Sequence, residues 1–424
     1  MKKKSQNGIS CYRTKAKITV LGLLCLLSIN IFSQNEPKKE KSSQGFTTLW
    51  DNGYQFKSDD GQFKMKFGGQ IMYDWAFFLQ DDSLKNNFGE LNNGTEFRRA
   101  RFFSSGQLYN NVKYKLQFDF TGGVVSFKDV YIMITKLPVV GNLKIGHFKE
   151  PFRLEALTSS KYITFIERGL PIAMSTERNT GFMLQNSLLN SRLAWQAGLF
   201  RNADKFGNDK KANEGFNITT RLSGLPIKND EKKQLLHLGV SYSIRKPVTK
   251  EYIIKSKPES HLAKDYVNTE TISDVDIVSH LGTEVALVIG PLSFQGEFVQ
   301  SSISTKTDST SFNYSFKGFY GQISYFITGE HRKYINYEAG FDRVNPKNNF
   351  GDGKGGIGAL EVALRYSGLN LNDGAIDGGQ LNDITLGLNW HLNPATRIMA
   401  NYLIAQLNDV GNAYIFQMRF QIDF

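Results

Sequence analysis

EFRRARF, residues 96–102, holds three arginines within four positions. Arginine stays charged, and its planar forked donors match oxyanions. If this stretch is a strand, alternation puts Arg99 and Arg101 on one face with Ser105 and Gln107, and Ala100, Phe102 and Leu108 on the other. Arg98 then sits near the strand's outer end, off the Arg99–Arg101 face. Four lysines alternate in the same way in two further segments: Lys64 and Lys66, then Lys113 and Lys115. They are candidates for one basic vestibule, with Arg192 and Arg397 at the same level. A third set lies in RLEALTSSKYITFIERGLPIAMSTER, residues 153–178, which supplies Ser159, Ser160, Lys161 and Arg168, with Lys149 just before it. Serine hydroxyls beside arginine can replace part of an oxyanion's hydration shell. The candidate binding residues are therefore Arg99, Arg101, Ser159, Ser160, Arg168, Lys149 and Lys161. Two readings stay open: a general positive field, or a defined binding ladder. The lysines either focus a field that draws anions, or form a solvated rim balancing Asp119, Asp129 and Asp423.

Enzyme chemistry finds no footing. There is no GxSxG, HExxH or Walker motif, and GDGKGG lacks the phosphate-loop spacing. The six histidines are scattered with no metal-ligand pair, and NDGAIDGG reads as a glycine-rich turn. No metal, cofactor or catalytic residue is expected. A barrel hydrolase would need a rim constellation that these residues do not assemble. The formal charge of +11 does not imply nucleic acid, because six of the basic residues and no acidic one lie in the first 33 positions.

Those 33 positions combine Lys2, Lys3, Lys4, Arg13, Lys15 and Lys17 with the apolar run ITVLGLLCLLSINIF and a small residue, Ser33. This is the form of a secretory signal peptide cleaved near Ser33–Gln34. Both cysteines, Cys11 and Cys25, would leave with it, so no disulfide is expected in the exported chain. Residues 34–53 read as a flexible N-terminal segment and 54–424 as one domain. From Tyr54 onward the dominant period is two. The last twelve residues, AYIFQMRFQIDF, put Tyr414, Phe416, Met418, Phe420, Ile422 and Phe424 on one face, with Gln417, Arg419, Gln421 and Asp423 among those on the other. Similar alternation recurs in VKYKLQFDF, HLGVSYSIR, LEVALRYS and DITLGLNWH. Short turns alternate with longer connections at 79–93, 153–178, 204–215, 248–275 and 371–379. The pattern predicts an all-β transmembrane antiparallel barrel of about 16 strands, with 334–346 in a long connection on the short-turn rim rather than in a further strand. A soluble β-sandwich shares the period. The aromatic face, the signal peptide and the absence of a long apolar helix favour the barrel.

Several stretches resemble the phosphate-selective porin O and P family: LWDNGYQFKSDDGQF, EFRRARF, YKLQFDF, FKDVYI, GHFKEPFRLEALTSSKYITFIERGLP, RNTGF, SYFITGE, ALEVALRYS with GLNWHLNP, and the last strand. The resemblance implies a sixteen-stranded trimeric anion channel in the outer membrane, with the third long loop folded inward as a constriction. Phe424 resembles the signal read by the outer-membrane assembly machinery. Where selective members carry a lysine ahead of the serine pair, this chain has Ala156, which argues against strict phosphate selectivity. Small inorganic anions, outer-membrane lipid and a homotrimer are the expected partners. The expected function is passive diffusion of small anions, with phosphate or a related oxyanion foremost. A weakly selective porin and a structural or adhesive barrel are the alternatives.

Overall fold

The computed structural model describes residues 45–209, 215–307, 310–338 and 340–424. The expected signal peptide with its cleavage point, and both cysteines, lie outside the described residues.

Sixteen strands form the barrel: β1 Lys64–Gln80, β2 Gly94–Leu108, β3 Val112–Asp119, β4 Ser126–Leu137, β5 Gly141–Lys149, β6 Arg178–Leu188, β7 Leu193–Arg201, β8 Asn217–Asn229, β9 Gln234–Arg245, β10 Val275–Ile289, β11 Leu292–Lys306, β12 Ser311–Phe326, β13 Ala359–Asp373, β14 Ile376–Asn393, β15 Thr396–Leu407 and β16 Gly411–Asp423. Each pairs antiparallel with its chain neighbours. β16 closes on β1 from Ala413↔Gln80 to Asp423↔Gln70. Closure removes the unpaired edges that hydrocarbon would not tolerate. Phe424 extends the seam: its N–H donates to the Gly69 carbonyl at 3.1 Å, and Gly69 N–H donates back at 2.6 Å. Gly68 must be small here, because a Cβ would lie 2.3 Å from the Phe424 carbonyl oxygen.

Period-two alternation explains which side each residue takes. On β16, Phe416, Phe420 and Ile422 are exposed on the outer face, whereas Gln417, Arg419, Gln421 and Asp423 are buried within. β13 repeats this with Val362, Leu364 and Tyr366 outside, and Glu361, Arg365 and Ser367 inside. A continuous apolar exterior is what a lipid-facing barrel requires. The lumen is not polar throughout, however. On its loop-bearing half Leu369, Leu371, Leu381, Leu403, Leu407 and Ile415 are buried in one apolar cluster. Part of their cover comes from Ile254, Ala263, Tyr266 and Val267 of the connection 246–274. This side of the lumen is filled.

Two further expectations are corrected, and a third holds. Phe46–Trp50 and Tyr54–Ser58 form a hairpin, so residues up to 53 are not all outside regular structure. Its second strand continues the sheet on β1, Tyr54↔Phe67 to Lys57↔Lys64, where β16 has run out. Residues 371–379 contain no long loop: β13 and β14 meet at a two-residue turn, with Asp373↔Ile376 the last pair. Opposite-rim parity does hold for residues 334–346. Tyr334–Asn336 and Gly340–Phe341 pair only with each other, inside the connection 327–358 between β12 and β13.

Candidate functional site

The connection 150–177 between β5 and β6 lies inside the barrel. It contains the short helix α1 Leu154–Leu157 and a 3-10 turn Leu170–Met174. Irregular backbone is tolerated at membrane depth only where its polar groups find partners. Here the wall supplies them. Lys161 carbonyl accepts from Gln421 Nε2 at 3.1 Å, Ile163 from Arg397 Nη1 at 2.8 Å, and Thr164 from Asn389 Nδ2 at 2.8 Å. Ile166 accepts from Arg419 Nη1 at 2.6 Å and Glu167 from Arg365 Nη2 at 2.9 Å. Polar lumen positions on β13–β16 therefore hold the loop. Ion pairs fix its start and its middle. Arg153 donates to Glu297 Oε2 through Nε at 3.0 Å and Nη2 at 2.6 Å. The Glu167 carboxylate bridges Arg98 (2.8 Å) and Arg419 (3.0 Å). Burial works to raise the Glu167 carboxyl, but Arg98 and Arg419 outweigh it and hold it well below the usual range.

Between this loop and the wall strands lies a cavity of about 510 Å³. All seven candidate binding residues line it: Arg99, Arg101, Lys149, Ser159, Ser160, Lys161 and Arg168. The wall contribution comes from β1–β7 alone, so the cavity is off-axis, away from the filled half. Ten basic and three acidic side chains line it, which makes its potential strongly positive.

The basic residues are not equivalent. Arg101 Nε donates to Asp119 at 2.7 Å, and Lys161 pairs with Asp423 at 3.2 Å. Lys149 spends its three donors on the carbonyls of Ala156 (2.5 Å), Leu157 (3.1 Å) and Thr158 (3.3 Å), at the C-terminal end of α1. Its charge reaches the cavity while its hydrogen bonds hold the loop. Arg168 donates to the carbonyls of Glu155 and Thr158 at 2.9 and 2.8 Å and meets no carboxylate within ion-pair distance among the described residues. Burial lowers its guanidinium from the usual value, with Glu155 opposing. Arg99 is 5% exposed. Among the described residues its one hydrogen-bond partner is Met72 Sδ at 3.8 Å, and its Nε has none. Its guanidinium thus lies buried against the cavity with no carboxylate within ion-pair distance among the described residues.

Arg98 departs from expectation, because it does line the cavity. A bulge between β1 and β2, where Met72↔Arg99 is followed by Tyr73↔Phe97, leaves Arg98 as the extra residue. A bulge re-aims the side chain and breaks the alternation rule locally. The same device acts between β3 and β4: Leu116↔Val130 is followed by Phe118↔Phe127, and both Lys128 and Asp129 line the cavity. Arg178, Lys128 and Lys144 are lining residues that alternation alone did not single out. The signal for Arg178 was available, as it opens RNTGF directly after the loop.

The vestibule lysines are divided. Lys115 lines the cavity and pairs with Asp129 at 2.8 Å. Lys66 Nζ donates to the Asp51 carbonyl at 2.6 Å. Lys113 is exposed at the rim, and Lys64 borders an apolar groove with Phe46, Phe56 and Met65. Arg192 is exposed in the β6–β7 turn and donates to the Lys228 carbonyl at 3.3 Å, whereas Arg397 is buried against the loop.

A charged cavity walled by membrane strands and narrowed from within by a loop serves the passage of small solutes. The architecture is that of a porin. The chain belongs to the phosphate-selective porin O and P family, whose model matches residues 63–424, and the membership places the barrel in the outer membrane. Porin O of Pseudomonas aeruginosa is 28% identical over 393 residues, spanning 85% of this chain and 87% of the relative. An uncharacterized protein of Caulobacter vibrioides is 28% identical over 391 residues, covering 89% of this chain and 75% of its own length. Among solved structures, the anion-selective porin from Comamonas acidovorans superposes with a TM-score of 0.54 at 12% identity, covering 85% of this chain and all of that one. That likeness is one of fold.

Proposed function

We propose that the barrel passes small anions passively and binds phosphate or a related oxyanion transiently in the off-axis cavity. The observation that carries this is Arg99, buried and without a carboxylate partner among the described residues, in a cavity with ten basic and three acidic side chains. Arg168 and the hydroxyls of Ser159 and Ser160 complete the donor set. Arginine would give charge-assisted hydrogen bonds and serine neutral ones. Membership in a family described as phosphate-selective supports the same reading. Lys149 anchors its ammonium on the carbonyls of Ala156, Leu157 and Thr158, so it supplies charge but no free donor. Poor discrimination between phosphate and sulfate follows. Export by the leader, insertion by the outer-membrane assembly machinery and a homotrimeric state belong to the same proposal, on the strength of the family.

The test is single-channel chloride current through the purified protein in planar bilayers, with phosphate or sulfate added. Saturable block by both is expected, with half-block in the micromolar to millimolar range set by the need for release. Current that falls only in proportion to phosphate's lower mobility, without saturation, would leave a general porin. A second expectation concerns the divided lysines. Lys115→Glu should move the reversal potential toward cations more than Lys64→Glu or Lys113→Glu, most clearly at low salt, where screening is least. Equal shifts from all three would restore a single vestibule.

A further inference from the structure

One side chain of the cavity has a different origin from the rest. Every other lining residue comes from β1–β7 or from the loop 150–177; Glu338 comes from the connection 327–358, which enters from the opposite rim. Its Oε2 accepts from Lys144 Nζ at 2.9 Å, across 194 positions of chain. Lys144, on β5, has no other carboxylate within ion-pair distance among the described residues. The connection is tied in place near this contact. The Tyr337 carbonyl accepts from Arg221 Nη1 at 2.8 Å, and Glu338 N–H donates to Asn336 Oδ1 at 2.9 Å. Further along, Arg343 pairs with Asp423 on β16, and Gly340 lies against Leu154 and Thr158, where a Cβ would approach both to 2.7 Å. The segment thus packs on the constriction loop and extends one carboxylate into an anion cavity.

We propose that Glu338 is a specificity-determining residue, an internal carboxylate that competes with the permeating anion for Lys144. The inference rests on the anion-binding reading of the cavity. The other two acids of the cavity lie on β4 and at the end of the loop; Asp129 there bridges Lys115 and Arg178 at 2.8 and 2.7 Å and holds wall residues together. Glu338 instead neutralises a cation that would otherwise face the cavity uncompensated. Its effect is to weaken anion binding, which a conducting site needs, since an ion held too tightly does not leave.

The experiment is a charge cycle at this pair, read two ways. In Glu338→Gln the amide keeps an acceptor for Lys144 but the charge is gone. Half-block by phosphate should fall about tenfold, as expected for one unit charge some ~10 Å away at an effective dielectric of ~20. Lys144→Met should raise it by a similar factor, because Glu338 is then uncompensated. The double variant removes a neutral pair, and its half-block should return close to that of the unaltered protein. A merely structural pair would show no opposing signs: both single variants would soften the folded gel form and change open-channel conductance in the same direction. Two single variants that shift block in one direction, or not at all, overturn the proposal. The second readout is the chloride-to-potassium reversal potential without phosphate. It should rise toward chloride in Glu338→Gln and fall in Lys144→Met. It needs no oxyanion site, so if phosphate fails to block even the unaltered protein, this measurement still decides the role of Glu338.

Discussion

Arg99→Ala should abolish most of the saturable phosphate block of chloride current. Half-block should rise by about one to two orders of magnitude, since hydrogen bonds to a charged group are worth ~1.5–3 kcal/mol each. The size of the effect comes from how little else Arg99 does. It meets Met72 Sδ at 3.8 Å and no carboxylate among the described residues, so its removal leaves no acid unpaired. Arg101→Ala should have a mixed outcome, because it also leaves Asp119, now 2.7 Å away, with only the more distant Lys128 (3.8 Å) to offset its repulsion of anions. Arg98→Ala should act chiefly through the loop: its two bonds to Glu167, at 2.8 and 3.1 Å, pin a loop residue rather than face an empty site. Conductance should then change in Arg98→Ala as much as block does, whereas Arg99→Ala should alter block with little change in open-channel conductance. Block in Arg99→Ala equal to that of the unaltered protein would remove Arg99 from the site.

The ranking could not have been drawn from the sequence, and the reason is physical. A strand's period of two is set by the backbone, so it survives in any sequence that forms the barrel. It placed Phe416, Phe420 and Ile422 on one face of the last strand and Arg419 and Asp423 on the other, as the barrel has them. A bulge costs one residue of register and leaves no mark in the alternation of residue types. Both bulges beside the cavity therefore hid a lumen-facing charge, Arg98 in one case and the Lys128–Asp129 neighbours in the other. The loop residues were legible as types but not as roles. Lys149 and Arg168 look equivalent in a string, yet three carbonyls consume the donors of the first, while the second gives two and keeps the rest. Glu338 was beyond reach, because its place in the cavity depends on a contact 194 positions away. The filled half of the lumen was also hidden. Leu369 and Leu371 alternate like lumen residues and are apolar, a combination that makes sense only once the connection 246–274 covers them.

Glu297→Ala should give the largest structural effect on the channel. Glu297, on β11, is fully buried with Arg153. Its Oε2 accepts two bonds from Arg153 and its Oε1 accepts the Glu155 N–H at 2.8 Å. Arg153 holds a backbone φ of +70°, a left-handed conformation uncommon for a side-chain-bearing residue, so the turn into the loop depends on these contacts. Its Nη1 also donates to Ser175 Oγ at 2.5 Å, which ties the two ends of the loop together. Removing the acid leaves a buried guanidinium unpaired, at a cost of about 3–5 kcal/mol. The loop 150–177 should then lose its anchor at the start while Glu167 still holds its middle. Open-channel conductance should rise, phosphate block should weaken, and the heat-modifiable gel form should convert at lower temperature. The double change Arg153→Met with Glu297→Leu separates charge from fit. Replacing both partners by apolar groups is far less costly than removing one, so the barrel should regain thermal resistance. Block should not recover with it, because the Glu155 N–H and the Ser175 hydroxyl still lack their partners and the loop entry stays loose. Unchanged conductance and block in Glu297→Ala would mean that the wall contacts of Arg397, Asn389, Arg419 and Arg365 suffice to set the constriction.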